Sequence, residues 1–238
     1  MQRTVLVLAN SNKPGGRCLA GRFIERAPNG RWKTGDWCRP VFRNGNGHDA
    51  IPTEACGDVN PLDVVSIELD VHSPAGGQPE NWQWRPNTAI NVVHTFNNIH
   101  NALASRADSP VDLWLDQNAT RADEVNQHQP IAQSLYLIQP TELWMHLSLD
   151  EQNRKHVHAE FAYQGWRYDG IPVTDPIIKR ILSKQFPADG ATIRMQLHHA
   201  AAYWLTLSLS LPFGPRQARY KLVAAVIDHT GYLQRTYR

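Results

Sequence analysis

Cysteine, charge and long apolar runs are all scarce in this sequence, and each shortage excludes something. Only Cys18, Cys38 and Cys56 occur among 238 residues. An odd number without a C-x-x-C does not make a disulfide framework. His48 and His72 are the nearest histidines to these cysteines, but the spacing fits no zinc ribbon or knuckle. Free, mostly buried thiols are expected, with no metal and no cofactor. No apolar run approaches the ~20 residues that cross a bilayer. TVLVLA at residues 4–9 is too short for a secretory signal and has no cleavage site after it. The expectation is a soluble, cytoplasmic protein without a membrane partner. Signatures of chemistry are missing as well: there is no G-x-x-x-x-G-K-[ST], no H-E-x-x-H and no G-x-S-x-G. The chain reads as non-catalytic.

What is present suits a packed β protein. The hydrophobic fraction is 42%, enough for a core, while charged residues make up 19%. The charges are segregated. Residues 1–50 carry nine Lys/Arg against three Asp/Glu, a net +6. Residues 51–150 carry three against thirteen, a net −10, and residues 151–238 carry twelve against six, a net +6. Basic ends and an acidic middle fit a chain whose ends meet an anion; they fit equally a fold whose parts neutralise one another.

Along the chain, residues 3–11, 17–26, 31–42 and 62–72 read as strands separated by the turns KPGG and PNG. Gly21 inside the second of these marks a bulge or a close backbone approach. The stretch 88–127 places Ile90, Val93, Phe96, Ile99 and Leu103 near helical spacing and reads as a helical connector or insert. Strands return at 131–140, 142–150, 156–169, 191–199, 202–213 and 219–228. Residues 173–186 read as a helix, with Asp175 as cap and Pro176 in the first position. The fold class is mainly β: short strands joined by Gly/Pro turns point to a small barrel or sandwich in each of two β-rich parts, residues 1–86 and 131–238, with a helical connector over 87–130 and one helix in the second half.

LANSNKPGGRCLAG at the start, RP at 39–40, LDVV at 62–65, QPEN at 78–81, VTDP at 173–176, LTLSLSLPF at 205–213 and YKLVAAVI at 220–227 together resemble the dual OB-containing domain family of prokaryotic proteins. The resemblance spans nearly the whole chain in order. It implies two OB-like barrels and no established catalytic activity. It also implies a place among components of mobile-element or defence assemblies.

Candidate binding residues follow from the basic, aromatic opening. Lys13, Arg17, Arg22, Arg31 and Arg39, with Trp32 and Trp37, have the composition of a groove that tracks a phosphate backbone while aromatics stack on bases. With Cys18 and Cys38 in the core, strand alternation turns Arg17 and Arg39 outward. The second barrel offers Arg216, Arg219 and Lys221. Gly15 and Gly16 form either a tight turn or an anion-binding nest, and Glu80, Asn81 and Trp82 lie on a loop that is the second part of a possible ligand site. His156, His158 and Glu160 share one strand face, as a ligand row or a solvated surface; His198 and His199 point to opposite faces. The expected function is non-catalytic binding of single-stranded or structured nucleic acid, as an accessory subunit beside a protein partner. The alternatives are a protein-interaction scaffold, or a small-nucleotide sensor or enzyme using the Gly15-Gly16 turn and Glu80.

Overall fold

In the run Val5 to Ala9 every residue is apolar, which calls for a strand buried on both faces. The computed structural model, which describes residues 1–42, 50–97, 103, 105–115, 121–188, 190–197 and 202–235, shows this. Strand β1 (Gln2–Lys13) turns Val5 and Val7 into one apolar core and Leu6 and Leu8 into another. The first core is the interior of a barrel. The second joins that barrel to the other half of the chain.

The first barrel comprises β1, β2 (Gly16–Arg26), β3 (Trp32–Val41), β4 (Asp63–His72) and β5 (Asn81–Trp84). A meander β1-β2-β3 is followed by β5 running parallel to β3, with Arg39 opposite Asn81, and β4 closes the ring by pairing with both β5 and β1. The short helix α1 (Thr53–Cys56), between β3 and β4, adds Cys56 to the barrel core. This five-stranded wiring is that of an OB fold. Gly21 is both things its sequence position suggests. The β1–β2 register slips between Val7 and Ala9, and a Cβ on Gly21 would lie 2.1 Å from the Leu6 carbonyl oxygen.

The second half repeats the wiring. Strands β9 (Glu142–Leu149), β10 (Lys155–Tyr163) and β11 (Trp166–Pro172) form the meander, α2 (Pro176–Ile181) follows, and β13 (Tyr203–Leu209) and β14 (Arg219–Asp228) form the hairpin. The chain leaving β11 bridges β14 in parallel at Val173 and Val223. The Asp175 carboxylate caps α2 by accepting from the Ile177 and Ile178 N–H groups, with Pro176 in the first position, as the sequence indicates. Among the described residues β9 and β13 do not pair. Instead β12 (Ile193–Gln196) takes the free edge of β9, and β8 (Leu135–Ile138) takes that of β13.

The helical reading of 88–127 is corrected where the structure describes it. Asn91–Thr95 is strand β6, paired with β4, and Glu124–Val125 is strand β7, paired with β14. The three-residue spacing of Ile90, Val93 and Phe96 suits a helix. However, Val92, Val93 and Thr95 are β-branched, and the edge of β4 offers them hydrogen bonds. The segment expected as a connector thus contributes one strand to each half. Ile99 lies outside the described residues.

Candidate nucleic-acid interface

The outer face of β1–β3 is the surface that OB folds commonly present to oligonucleotides, and here most of it is covered. Leu6, Leu8, Ala20 and Trp37 pack against Leu135, Leu137, Trp204 and Ile227 of the second half. Hydrogen bonds cross the same seam. The Thr206 hydroxyl donates to the Leu8 carbonyl at 2.6 Å, and the Asn12 N–H donates to the Thr174 carbonyl at 2.9 Å.

Several expected phosphate ligands turn out to fasten this seam. Arg39 was expected to face outward; it is fully buried, and its guanidinium donates to Asn81 Oδ1, the Ser134 carbonyl and the Ser208 hydroxyl. The parallel β3–β5 pairing and the second half enclose it, so the alternation rule, which assumes one solvated face, does not apply. Glu80 is buried too and accepts from the Ser134 N–H and hydroxyl, both at 2.6 Å. Ser134 therefore ties a buried cation to a buried anion. Asn81 is enclosed between Arg39 and Gln78. Arg219 is buried, donating to the carbonyls of Gly76, Gln127 and Gln129, and Lys221 is buried, donating to that of Ala122. Arg39, Arg219 and Lys221 are thus corrected from phosphate ligands to internal fasteners. Arg216 stays half exposed and pairs with Glu124.

The Gly15-Gly16 turn is a hairpin closure. Gly16 adopts φ +155°, and a Cβ there would lie 2.2 Å from the Ile51 carbonyl oxygen, which already accepts from the Arg17 N–H. That donor is unavailable to an anion, which favours the tight-turn alternative over the nest. Gly16 is closed against Ile51, and both Glu80 carboxylate oxygens are taken by Ser134, so each part of the small-nucleotide alternative is engaged within the fold. Arg17 donates to Asn12 Oδ1 at this same end of the barrel, near Lys13. From Arg17 to Arg26 the strand runs about 30 Å, so the expected basic residues do not form one groove.

Among the described residues the distal end of the β2–β3 hairpin is partly exposed: Trp32 and Phe96 are half-buried against the edge of the seam core, and His94 is exposed. Trp32 lies 5.7 Å from the His94 ring and 6.3 Å from that of Phe96, and His94 and Phe96 meet edge to face at 5.2 Å. The Arg26 guanidinium sits 5.9 Å from the Trp32 centroid, and that of Arg106 sits 5.4 Å from the Phe96 centroid while donating to the Thr34 hydroxyl. Arg31 is exposed in the adjoining turn. Sequence reading found Trp32 and Arg31. It missed His94, Phe96 and Arg106, because they come from the stretch read as connector.

Farther along β3 is a cleft of about 350 Å³, lined by Arg22, Phe23, Asp36, Trp37, His72 and Trp82 among others, with Glu80 in its wall. Trp82 meets Phe23 edge to face at 5.4 Å and His72 at 5.0 Å. Arg22 lies 4.8 Å over the Trp37 ring, and both bond to Asp108. Four residues singled out from the sequence, Arg22, Trp37, Glu80 and Trp82, thus converge here. Trp37, 5% exposed, is a wall of the cleft rather than a free stacking platform.

The second half's corresponding face, on β9–β12, is ionic and, among the described residues, half-exposed. Glu160 accepts from Arg194 and His146 and pairs with Arg167. The Arg194 hydrogen bonds are the main cause that holds its carboxyl down at about 2; His146 and the nearby arginine charges add to this. Arg194 also lies 3.7 Å over the Trp144 ring. His156 and His158 stack at 6.2 Å, and burial, then the charge of His156, lowers the pKa of His158. His146, Glu160 and Asp169 bring ligand atoms within 4.8 Å of one another. Two guanidiniums already occupy Glu160, so this donor set does not suit a cation. His198 and His199 lie outside the described residues.

The three cysteines are free, Cys38 and Cys56 buried and Cys18 half-buried. Burial pushes the Cys56 thiol up to about 12 and that of Cys38 higher still. No helix among the described residues is long and apolar enough to cross a membrane. A family model described as "Dual OB-containing domain" matches residues 3–226. Neither the comparison with curated proteins nor that with solved structures returned a match.

Proposed function

This chain belongs to the dual OB-containing domain family, and from that premise we propose that it binds single-stranded nucleic acid, without catalysis, at the distal end of the β2–β3 face. The observation that supports this reading is the group Trp32, His94 and Phe96 with Arg26 and Arg106 over its rings. Every base has a π-face, so an aromatic floor of this kind holds bases with little regard to sequence, and each stacked base is worth about 1–3 kcal/mol. Arginines beside the floor neutralise phosphates and release counterions, which makes affinity fall with salt. The accessory role in a prokaryotic defence or genome-processing assembly rests on the family resemblance alone.

Fluorescence anisotropy of a labelled single-stranded oligonucleotide tests the reading. Binding is expected to weaken with salt, and Trp32→Ala is expected to cost about 1–3 kcal/mol while leaving the salt slope nearly unchanged, because stacking is not ionic. Equal binding by wild type and variant at every salt concentration overturns it.

One observation favours a protein partner as well. All five residues of β6 are exposed, Val92 and Val93 at 42% and 56%, and among the described residues β6 pairs only with β4. Its other edge suits strand addition by an extended segment of a partner protein. Such a partner is expected to protect the β6 amides from hydrogen exchange, and unchanged exchange in its presence removes this second reading.

A further inference from the structure

We propose that the cleft beside Asp36 is a base-reading pocket that takes one guanine of the strand lying on Trp32; the inference rests on the proposed interface and adds a sequence preference to it. It begins with a bulge. The β2–β3 register slips where Arg22 faces Trp37 and Ile24 faces Thr34, so β3 carries one extra residue at 35–36. Bulges of this kind re-aim a side chain. Trp37 returns to the face of Trp32 and Thr34, and Asp36 lines the cleft. Opposite the bulge stands Phe23, with Trp82 and His72 beyond it.

The chemistry of the walls limits what enters. Asp36 is exposed and makes no hydrogen bond or ion pair among the described residues. The one guanidinium in the wall, Arg22, is bound to Asp108 and the Gly35 carbonyl. Glu80 also lines the wall, but both of its carboxylate oxygens accept from Ser134, so Asp36 is the carboxylate of this cleft that is left to meet a ligand. A phosphate is repelled here, whereas a planar group rich in N–H donors is favoured. His72 donates from Nε2 to the Pro79 carbonyl at 2.6 Å, since a carbonyl can only accept, and its ring stays fixed as part of an aromatic wall.

Among the bases, guanine alone offers two adjacent donors, N1–H and the N2 amino group, on one edge, matching the two oxygens of a carboxylate. Adenine and cytosine set an acceptor beside their amino group, and uracil or thymine flanks its N–H with two carbonyls, so each presents a repelled atom to Asp36. Base edges of single strands are read by this kind of pairing between aromatic walls. From Trp32 to Asp36 the strand covers about 13 Å, close enough for one bound strand to reach both.

The test uses the full chain and Asp36→Asn, an exposed substitution that keeps the fold. Anisotropy is measured with matched oligonucleotides carrying one guanine, inosine or adenine, and free guanosine is titrated separately. Guanine is expected to bind roughly 5- to 150-fold tighter than inosine or adenine, the range for one bidentate contact. Asp36→Asn is expected to abolish that preference without weakening the adenine oligonucleotide. Binding that depends on Trp32 but ignores base identity overturns the pocket and leaves the interface standing. Guanosine binding that depends on Asp36, with no oligonucleotide bound, supports the pocket and overturns the interface. An Nα-acetyl-arginine amide that binds where guanosine does not shows a site for a cationic peptide side chain, and overturns the assignment.

Discussion

On the first barrel the outer face of the meander carries Leu6, Leu8, Ala20 and Trp37; on the second, the face in the same topological position carries Trp144, His146, His156, His158 and Glu160. The wiring of the two barrels is similar, with a helix after the third strand and a last strand running parallel to it. What differs is the residue set that the strands turn outward, and that decides what the face does. The apolar face becomes a seam, and among the described residues its distal end at Trp32 and the cleft beside Trp37 are what stay partly exposed. The ionic face holds its charges in pairs around Glu160, with Trp144 under Arg194, and Trp144 and the histidines stay half-exposed. An OB topology therefore does not by itself say which surface is free to bind.

The largest expected effect comes from breaking the seam. Arg39→Ala leaves Glu80 buried without the cation that shares Ser134 with it, and removes hydrogen bonds to Asn81 and Ser208. Each buried polar group left without its partner costs about 1–3 kcal/mol, and Asn81 and Ser208 both lose a donor here. Chemical denaturation is expected to show this loss in a single transition, because the core around Leu6, Leu137 and Trp204 belongs to both halves. A variant with wild-type stability, or two separate transitions in the wild type, contradicts a shared seam.

The ionic face is expected to respond less, and with pH. Arg194 and Arg167 are 41% and 59% exposed, so water screens their pairs with Glu160 and each contributes little. The Glu160 carboxyl is lowered from its ordinary 4.5 to about 2, chiefly by Arg194. A depressed carboxylate stabilises the folded state above its unfolded pKa, and that contribution is lost as pH falls through the folded one. Glu160→Gln is therefore expected to be less stable than wild type above pH 4.5, with the gap closing toward pH 2. Denaturation midpoints across that range measure it, and a gap independent of pH excludes the network as its source.

How far the sequence discloses this arrangement depends on where the relevant partner lies in the chain. Strand and turn positions of both barrels, and the Asp175 cap, are legible because they are set by local alternation, glycine and capping chemistry. So is the two-sided burial of β1, from its unbroken apolar run. The fate of Arg39, Arg219 and Lys221 is not legible: the partners that bury Arg39, Ser134 and Ser208, lie 95 and 169 residues away. Nor is the strand at Asn91–Thr95, which depends on an edge that β4 supplies, or the bulge that turns Asp36 into the cleft. The site was half visible, because Trp32 and Arg31 are local signals and His94, Phe96 and Arg106 reach them only through the fold.

The smallest effect separates the two ends of the first barrel. Arg26 sits over the half-exposed Trp32 ring, whereas Arg17 lies at the opposite end of β2, beside the Ile51 bridge and bonded to Asn12. If strands bind at the distal end, only Arg26 neutralises a phosphate. Each such contact on a single strand contributes roughly 0.7 to the slope of log affinity against log salt. Arg26→Ala is expected to lower the slope by about that much, and Arg17→Ala to leave it unchanged. Both positions are surface cations in strands, so stability is expected to move little in either variant, within about 0.5 kcal/mol. Anisotropy over a salt series reads the two slopes side by side. A loss at Arg17 equal to that at Arg26 extends the binding path along the whole strand. A loss at Arg17 alone moves the interface to the Gly15-Gly16 end, and removes the Trp32 surface from it.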